Sequence, residues 1–180
     1  MLSDADMLER MEKGWRGGLY DGTICGNGST LSATENACRW LPGIVKRHDI
    51  RCVNDAGAGD LHWIGGVRWD VEYRAFDLIP RRDSIVSLDI TRDVMPQADA
   101  ILCRMVLNHL DEPRIMLALE RFRQSAKFLI ATQFNGEDLP QRSPQFTRLD
   151  LRKVPYNLGE PLESIQDGRE DICSLALWRL

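Results

Sequence analysis

The residues with the clearest chemical potential lie in Val53-Asn54-Asp55-Ala56-Gly57-Ala58-Gly59-Asp60. An apolar run ends in an acid and then G-x-G. The chain must turn sharply there, and two positions without side chains let a ligand approach main-chain N–H groups. Two further apolar runs end in acids: Tyr73 to Asp77, about 20 residues after the glycines, and Ile85 to Leu88, followed by Asp89. A carboxylate at the end of the second run can accept both hydroxyls of a ribose at once. Singly, each acid is equally well explained as a turn or cap residue, but three acids at successive strand ends beside one glycine turn point to a ligand site.

Candidates for proton transfer are few. His109, in Asn108-His109-Leu110, and Arg104 follow a fourth apolar run, and Asp60 with His62 follows the glycine turn. A histidine suits a general base near neutral pH, and an arginine suits an anionic group. His109 reads equally as a helix-start residue holding a backbone carbonyl. Arg142, Arg148, Arg152 and Lys153 form a basic run that could receive an anionic acceptor or simply be solvated. Trp63 is close enough to the glycine turn to offer a stacking surface, whereas Trp15, Trp40, Trp69 and Trp178 read as core or subunit-contact residues.

These residues need a framework, and short apolar runs separated by polar punctuation predict an α/β sheet. Strands are expected at Arg51–Asn54, Tyr73–Asp77, Ile85–Leu88, Ala98–Cys103, Phe128–Thr132, Leu162–Ile165 and Ser174–Trp178. Helices are expected at Glu112–Arg123, behind Asp111, and after the capping box Ser32-x-x-Glu35, where Pro42 should kink or split the helix. A first short helix carries Met7, Leu8, Met11 and Trp15, so residues 1–48 read as a helical N-terminal segment of one 180-residue domain. The segment Phe134–Tyr156 reads as a long loop.

Composition narrows the function. With 23 Lys+Arg against 27 Asp+Glu, the net charge of −4 argues against a domain built to grip a phosphate backbone. Five cysteines without a C-x-x-C pair, and three scattered histidines (His48, His62, His109), give no metal framework and predict reduced thiols in the cytoplasm. No apolar run is long enough to span a bilayer.

The combination D-x-G-x-G (55–59), an acid at 77, L-D-I-T-R-D (88–93) and D-A-I-L-C-R-M-V-L-N-H-L (99–110) resembles the class I S-adenosylmethionine-dependent methyltransferases. With G-N-G-S-T-L (26–31), F-L-I-A-T-Q-F (128–134), Y-N-L-G-E-P-L (156–162) and a closing L-A-L-W, the chain is similar to small bacterial and phage methyltransferase-like proteins whose substrates are poorly defined.

The resemblance implies a Rossmann-like sheet of seven strands, mostly parallel with the last antiparallel. It also implies S-adenosylmethionine as cofactor and S-adenosylhomocysteine as product. Asp55, Ala56, Gly57 and Gly59 would hold its methionine part, with Ser29, Thr30 and Arg104 on that side. Asp77 would hold the ribose, and Asp89 with Ile90 the adenine. Residues 78–84 are too few for a crossover helix between the second and third strands, and the Trp- and Gly-rich stretch after Gly59 is a poor helix former; both depart from that pattern. An N-P-P-aromatic tetrad after the fourth strand would mark enzymes that methylate base amines; Cys103-Arg104-Met105-Val106 stands there instead. The expected reaction is therefore methyl transfer to a small-molecule or glycan-like acceptor, on oxygen. A nucleic-acid methyltransferase and a non-catalytic cofactor-binding protein are the alternatives.

Overall fold

The computed structural model describes residues 13, 19, 21–136, 146–168 and 172–180. The expected helix around Met7–Trp15, together with Pro140, Arg142 and Pro144, lies outside them.

Seven strands form one sheet: β1 (Cys52–Ala56), β2 (Glu72–Asp77), β3 (Ile85–Ser87), β4 (Ala100–Cys103), β5 (Phe128–Phe134), β6 (Glu163–Gln166) and β7 (Cys173–Arg179). Their order is β3-β2-β1-β4-β5-β7-β6. The first five are parallel, and β7 runs antiparallel to both β5 and β6. The expected fold class is therefore present, and every expected strand exists. The main difference is that β1 continues through Asp55 and Ala56, because they pair with Ala75 and Phe76 of β2. Asp55 is thus a strand residue with a fixed direction.

The central strands are apolar on both faces, and their period of two sends alternate residues to two cores. Ala100, Leu102, Phe128, Ile130, Leu175 and Leu177 pack against helix α1 (Glu35–Arg47) through Ala37, Leu41, Ile44 and Val45. Ile101, Cys103, Leu129, Ala131, Ala176 and Trp178 pack against helix α2 (Glu112–Ser125) through Ile115, Ala118, Leu119 and Phe122. Both helices present the i, i+3/i+4, i+7 stripe that one buried face requires.

Asp111 caps α2, its carboxylate accepting from the Arg114 N–H at 3.0 Å. Asp111→Ala is expected to cost about 1 kcal/mol of stability, read by urea denaturation; an unchanged midpoint would remove the cap's role.

Helix α1 departs from expectation at its start, and it is not split at Pro42. It begins at Glu35 with Thr34 as N-cap and no side-chain cap bond, so Ser32-x-x-Glu35 is not a capping box. The Thr30 hydroxyl instead accepts from the Ala33 N–H, and the Thr34 hydroxyl donates to Thr30 O, which shapes a turn ahead of the helix. The helix also runs through Pro42 without a break. The flanking Leu41, Ile44 and Val45 are all buried, and their packing outweighs the one backbone hydrogen bond that proline removes.

Elsewhere the connections are spare. Residues 78–84 join β2 to its parallel neighbour β3 without a helix, and only a short 3-10 turn (Ile64–Gly66) follows the glycine turn. Both departures expected from the sequence are present. No helix among the described residues is long and apolar enough to cross a membrane.

Candidate functional site at the carboxyl edge of the sheet

The carboxyl ends of β1 to β4 carry the three acids, the glycine turn and Arg104. After Ala56 the chain folds over the end of β2, with the N–H groups of Gly57 and Ala58 both donating to Phe76 O (2.8 and 3.0 Å). Gly57 has φ +96°, and a Cβ there would stand 2.2 Å from Val106 Cγ2. Gly59 has φ +63°, and a Cβ there would meet Cys25 Sγ at 2.6 Å. Both positions need glycine for backbone conformation and for space.

Asp55 is buried, and its Oδ2 accepts from the Tyr73 hydroxyl at 2.5 Å. Burial pushes its carboxyl up to about 7; the Asp77 charge adds to the rise, while the Tyr73 bond and Arg104 oppose it. Asp77 accepts from the N–H groups of Gly59 (2.8 Å) and Ile79 (3.0 Å), one on each oxygen. Burial raises its pKa, against those two bonds and the Arg81 charge. Asp89 closes a local turn: its Oδ1 accepts from the N–H and hydroxyl of Thr91 (2.9 and 2.7 Å), and Arg92 Nε stands 3.6 Å from Oδ2. Ala56 and Ile90 are buried in the α2-side core.

A strap of residues 23–34 spans this edge. At one end Asp60 holds it, accepting from the Thr23 hydroxyl (2.8 Å) and the Ile24 N–H (3.0 Å) on Oδ2 and from the His62 N–H (3.1 Å) on Oδ1. These bonds outweigh desolvation and hold the Asp60 carboxyl below its usual range. In the middle, Asn27–Ser29 form a 3-10 turn, and the buried Thr30 hydroxyl donates to Asn27 O. Ser29 is half-buried beside it.

Arg104 holds the far end of the strap. Its Nη1 donates to Gly28 O (2.8 Å) and Nη2 lies 3.5 Å from Ala33 O. Nε and Nη2 also grip Asp167 bidentately at 2.8 and 3.1 Å. The Arg104 side chain is 3% exposed and that of Asp167 0%, with Trp63 stacked beneath the guanidinium at 5.1 Å. Trp63 is therefore taken up by Arg104, contrary to its expected role as a stacking surface for a ligand.

His109 lies in the 107–109 turn with its ring edge-on to Phe146 (5.3 Å), which in turn meets Phe134 (5.8 Å). Beside it, buried Asn108 donates from Nδ2 to Thr147 O. The basic run is not a cluster of unpaired cations: Arg152 is locked to Asp150 by Nε and Nη2 (both 2.8 Å), and Lys153 Nζ donates to Gly136 O. Arg152 and Gln133 together hold the Asp150 carboxyl down at about 2 despite its burial.

Sequence reasoning missed Tyr73 and Asp167. Tyr73 looks like any strand aromatic until β1 is seen to run through Asp55. Asp167 carries only the Asp-Gly signature of a hairpin turn, and its partner lies 63 residues away.

The residues fit S-adenosylmethionine. Asp55 and Asp77 are two buried carboxyls, and the Asp77 charge adds to the cost of ionising Asp55. A ligand bringing an ammonium and ribose hydroxyls supplies the donors such a pair needs.

No protein-family model and no curated protein matches the chain. Solved structures do. Magnesium protoporphyrin IX methyltransferase (ChlM) from Synechocystis PCC 6803, with S-adenosylmethionine bound, superposes with a TM-score of 0.61 at 15% identity over 99% of this chain and 92% of that one. The N-terminal domain of EvdMO1, solved with S-adenosylhomocysteine and D-fucose, gives 0.56 at 13% identity over 99% and 97%. Mitomycin 7-O-methyltransferase (MmcR) gives 0.58 at 13% identity over 80% of this chain, which spans 54% of that enzyme's length. In strand order, in the direction of β7 and in these superpositions, the chain has the fold of the class I S-adenosylmethionine-dependent methyltransferases.

Proposed function

We propose that this protein is a methyltransferase that binds S-adenosylmethionine at the carboxyl edge of β1–β4 and methylates a small-molecule acceptor on oxygen. The observation that carries this reading is the set of strand-end carboxyls, Asp55, Asp77 and Asp89, around the Gly57–Gly59 turn. Bound there, the cofactor supplies an electrophilic methyl on a positively charged sulfur, open to in-line attack.

In this reading the chain's own groups divide the binding. Asp55 faces the ammonium, oriented by Tyr73. Asp77 accepts from the N–H groups of Gly59 and Ile79, one on each oxygen, and takes a ribose hydroxyl on a remaining lone pair. Asp89 offers Oδ2, which the exposed Arg92 approaches only to 3.6 Å, to the adenine amine, and Ile90 packs below the base. Ala56, Gly57 and Gly59 let the backbone come close, and Ser29 and Thr30 lie on the strap over the methionine end.

Asp60 is low in pKa and fully engaged, so it acts as a clasp for the strap and not as a base. His109 is the proton acceptor for the incoming hydroxyl. Arg104 belongs to the strap's anchorage, and the basic run, with Arg152 already paired, gives little support to an anionic acceptor.

Oxygen on a small molecule or glycan is favoured by MmcR, a 7-O-methyltransferase, and by EvdMO1, solved with D-fucose. The net charge of −4 disfavours nucleic acid. The test is to incubate the protein and S-adenosylmethionine with pools of sugars, sugar nucleotides and hydroxylated aromatics. A product heavier by one CH2, formed in step with S-adenosylhomocysteine, is expected. Methylation of oligonucleotides and of none of these pools would overturn the acceptor class.

A further inference from the structure

We infer that Asp167 is a positioning residue for the cofactor site: through its ion pair with Arg104 it latches the 23–34 strap across the carboxyl edge. The inference rests on the cofactor reading above only for its consequence for binding.

The strap is pinned at two distant places by different chemistry. Near the glycine turn, Thr23 and Ile24 hang from Asp60, and Cys25 packs on Gly59. At the other end the described hydrogen bonds reach the strap through its backbone carbonyls. The carbonyl of Gly28 accepts from Arg104, and that of Ala33 lies within reach of Arg104 Nη2 and accepts from the Gly168 N–H at 3.2 Å. Arg104 can serve these carbonyls only while its guanidinium is held in one plane and its charge compensated. Asp167 does both, with its two oxygens on Nε and Nη2 and no exposure to solvent. Asp167 sits at the β6–β7 turn, Arg104 at the end of β4, and the strap lies between them and the glycine turn. Met105 reinforces the junction: it has φ +56°, and a Cβ built on Gly28 or on Gly168 would find its side chain 3.9 Å away.

A buried pair contributes little net stability compared with an apolar pair of similar volume, whereas removing one partner is costly. Its retention here is accounted for by the carbonyls it holds, which an apolar pair could not hold. That difference separates a latch from a core contact.

The test uses Asp167→Asn, which keeps the shape and loses the charge, and the double variant Arg104→Met/Asp167→Leu, which removes the buried charges together. Hydrogen exchange of the ligand-free protein is followed at residues 26–34 and, as an internal reference, in β5. The double variant is expected to exchange at least about ten-fold faster in the strap with β5 unchanged and to melt near wild type, whereas Asp167→Asn, which leaves the Arg104 charge buried and unpaired, is expected to speed exchange in the strap by a larger factor than in β5. S-adenosylhomocysteine is expected to bind each about ten-fold more weakly, and with an acceptor in hand KM for S-adenosylmethionine rises while kcat holds. Wild-type strap exchange and affinity in a folded double variant would overturn the latch. Failure of the wild-type protein itself to bind S-adenosylhomocysteine would overturn the cofactor reading instead, and the exchange measurement, which needs no ligand, would still decide the latch.

Discussion

Asp55→Asn is expected to bind S-adenosylmethionine about 10- to 100-fold more weakly than wild type, the usual worth of a buried charge-assisted hydrogen bond. The same substitution is expected to stabilise the ligand-free protein at alkaline pH. The Asp55 carboxyl is raised from its unfolded value to about 7 because it is buried beside Asp77, so the folded state binds this proton more tightly than the unfolded chain. The stability this confers is present in full below the unfolded pKa and is lost as pH rises through about 7. At pH 8 wild type therefore carries a buried charge that costs on the order of 2–4 kcal/mol, and Asn carries none. Binding runs the other way: affinity for the ammonium grows from pH 5 to pH 7 as Asp55 ionises, and the Asn variant shows no such rise. Thermal melts of both proteins at pH 5 and pH 8, with titrations at pH 5 and pH 7, check the two signs together. Equal pH dependence in the two proteins would show that Asp55 neither titrates in this range nor meets the ligand.

Gly57→Ala is expected to be the most disruptive methyl that can be added to the site. Two costs combine: about 1–2 kcal/mol for an L-residue at φ +96°, and about 1–3 kcal/mol for a Cβ placed 2.2 Å from Val106 Cγ2. They are separable, because Val106→Ala in the same chain relieves the contact and leaves the dihedral cost. A denaturation double-mutant cycle should give a coupling of about 1 kcal/mol or more in favour of the double variant. Gly65→Ala and Gly66→Ala, where a Cβ meets nothing within 4 Å, are the controls and should change stability by less than about 0.5 kcal/mol. Additive effects of Gly57→Ala and Val106→Ala would mean that the segment after β4 does not press on the glycine turn as described.

The strands were legible because the central ones are buried on both faces: Ala98–Cys103 and Phe128–Thr132 are apolar runs bounded by polar residues, and nothing in them competes with a strand assignment. The three acids and the glycine turn were legible for the same reason, since strand ends can be read once strands can. Helix starts were less so. Ser32-x-x-Glu35 matches a capping signature, yet Thr30 and Thr34 capture the local bonds and delay the helix to Glu35. Pro42 predicts a kinked or split helix, and the buried Leu41, Ile44 and Val45 around it keep the helix unsplit.

What the sequence hides is pairing across distance. Arg104 and Asp60 look like free functional groups in a linear chain. In three dimensions one is paired with Asp167 and reaches two carbonyls, and the other accepts from Thr23, Ile24 and His62. Arg152 has the same fate next to Asp150.

The central claim, that the carboxyl edge of β1–β4 is an S-adenosylmethionine pocket, is tested most directly by calorimetric titration of the full chain with S-adenosylmethionine and S-adenosylhomocysteine, repeated on Asp77→Ala and Asp89→Ala. Saturable binding of both ligands with one site per chain, weakened by each substitution while the variants remain folded, is the predicted result. No heat of binding to wild type at millimolar ligand, or binding that both substitutions leave untouched, would contradict it.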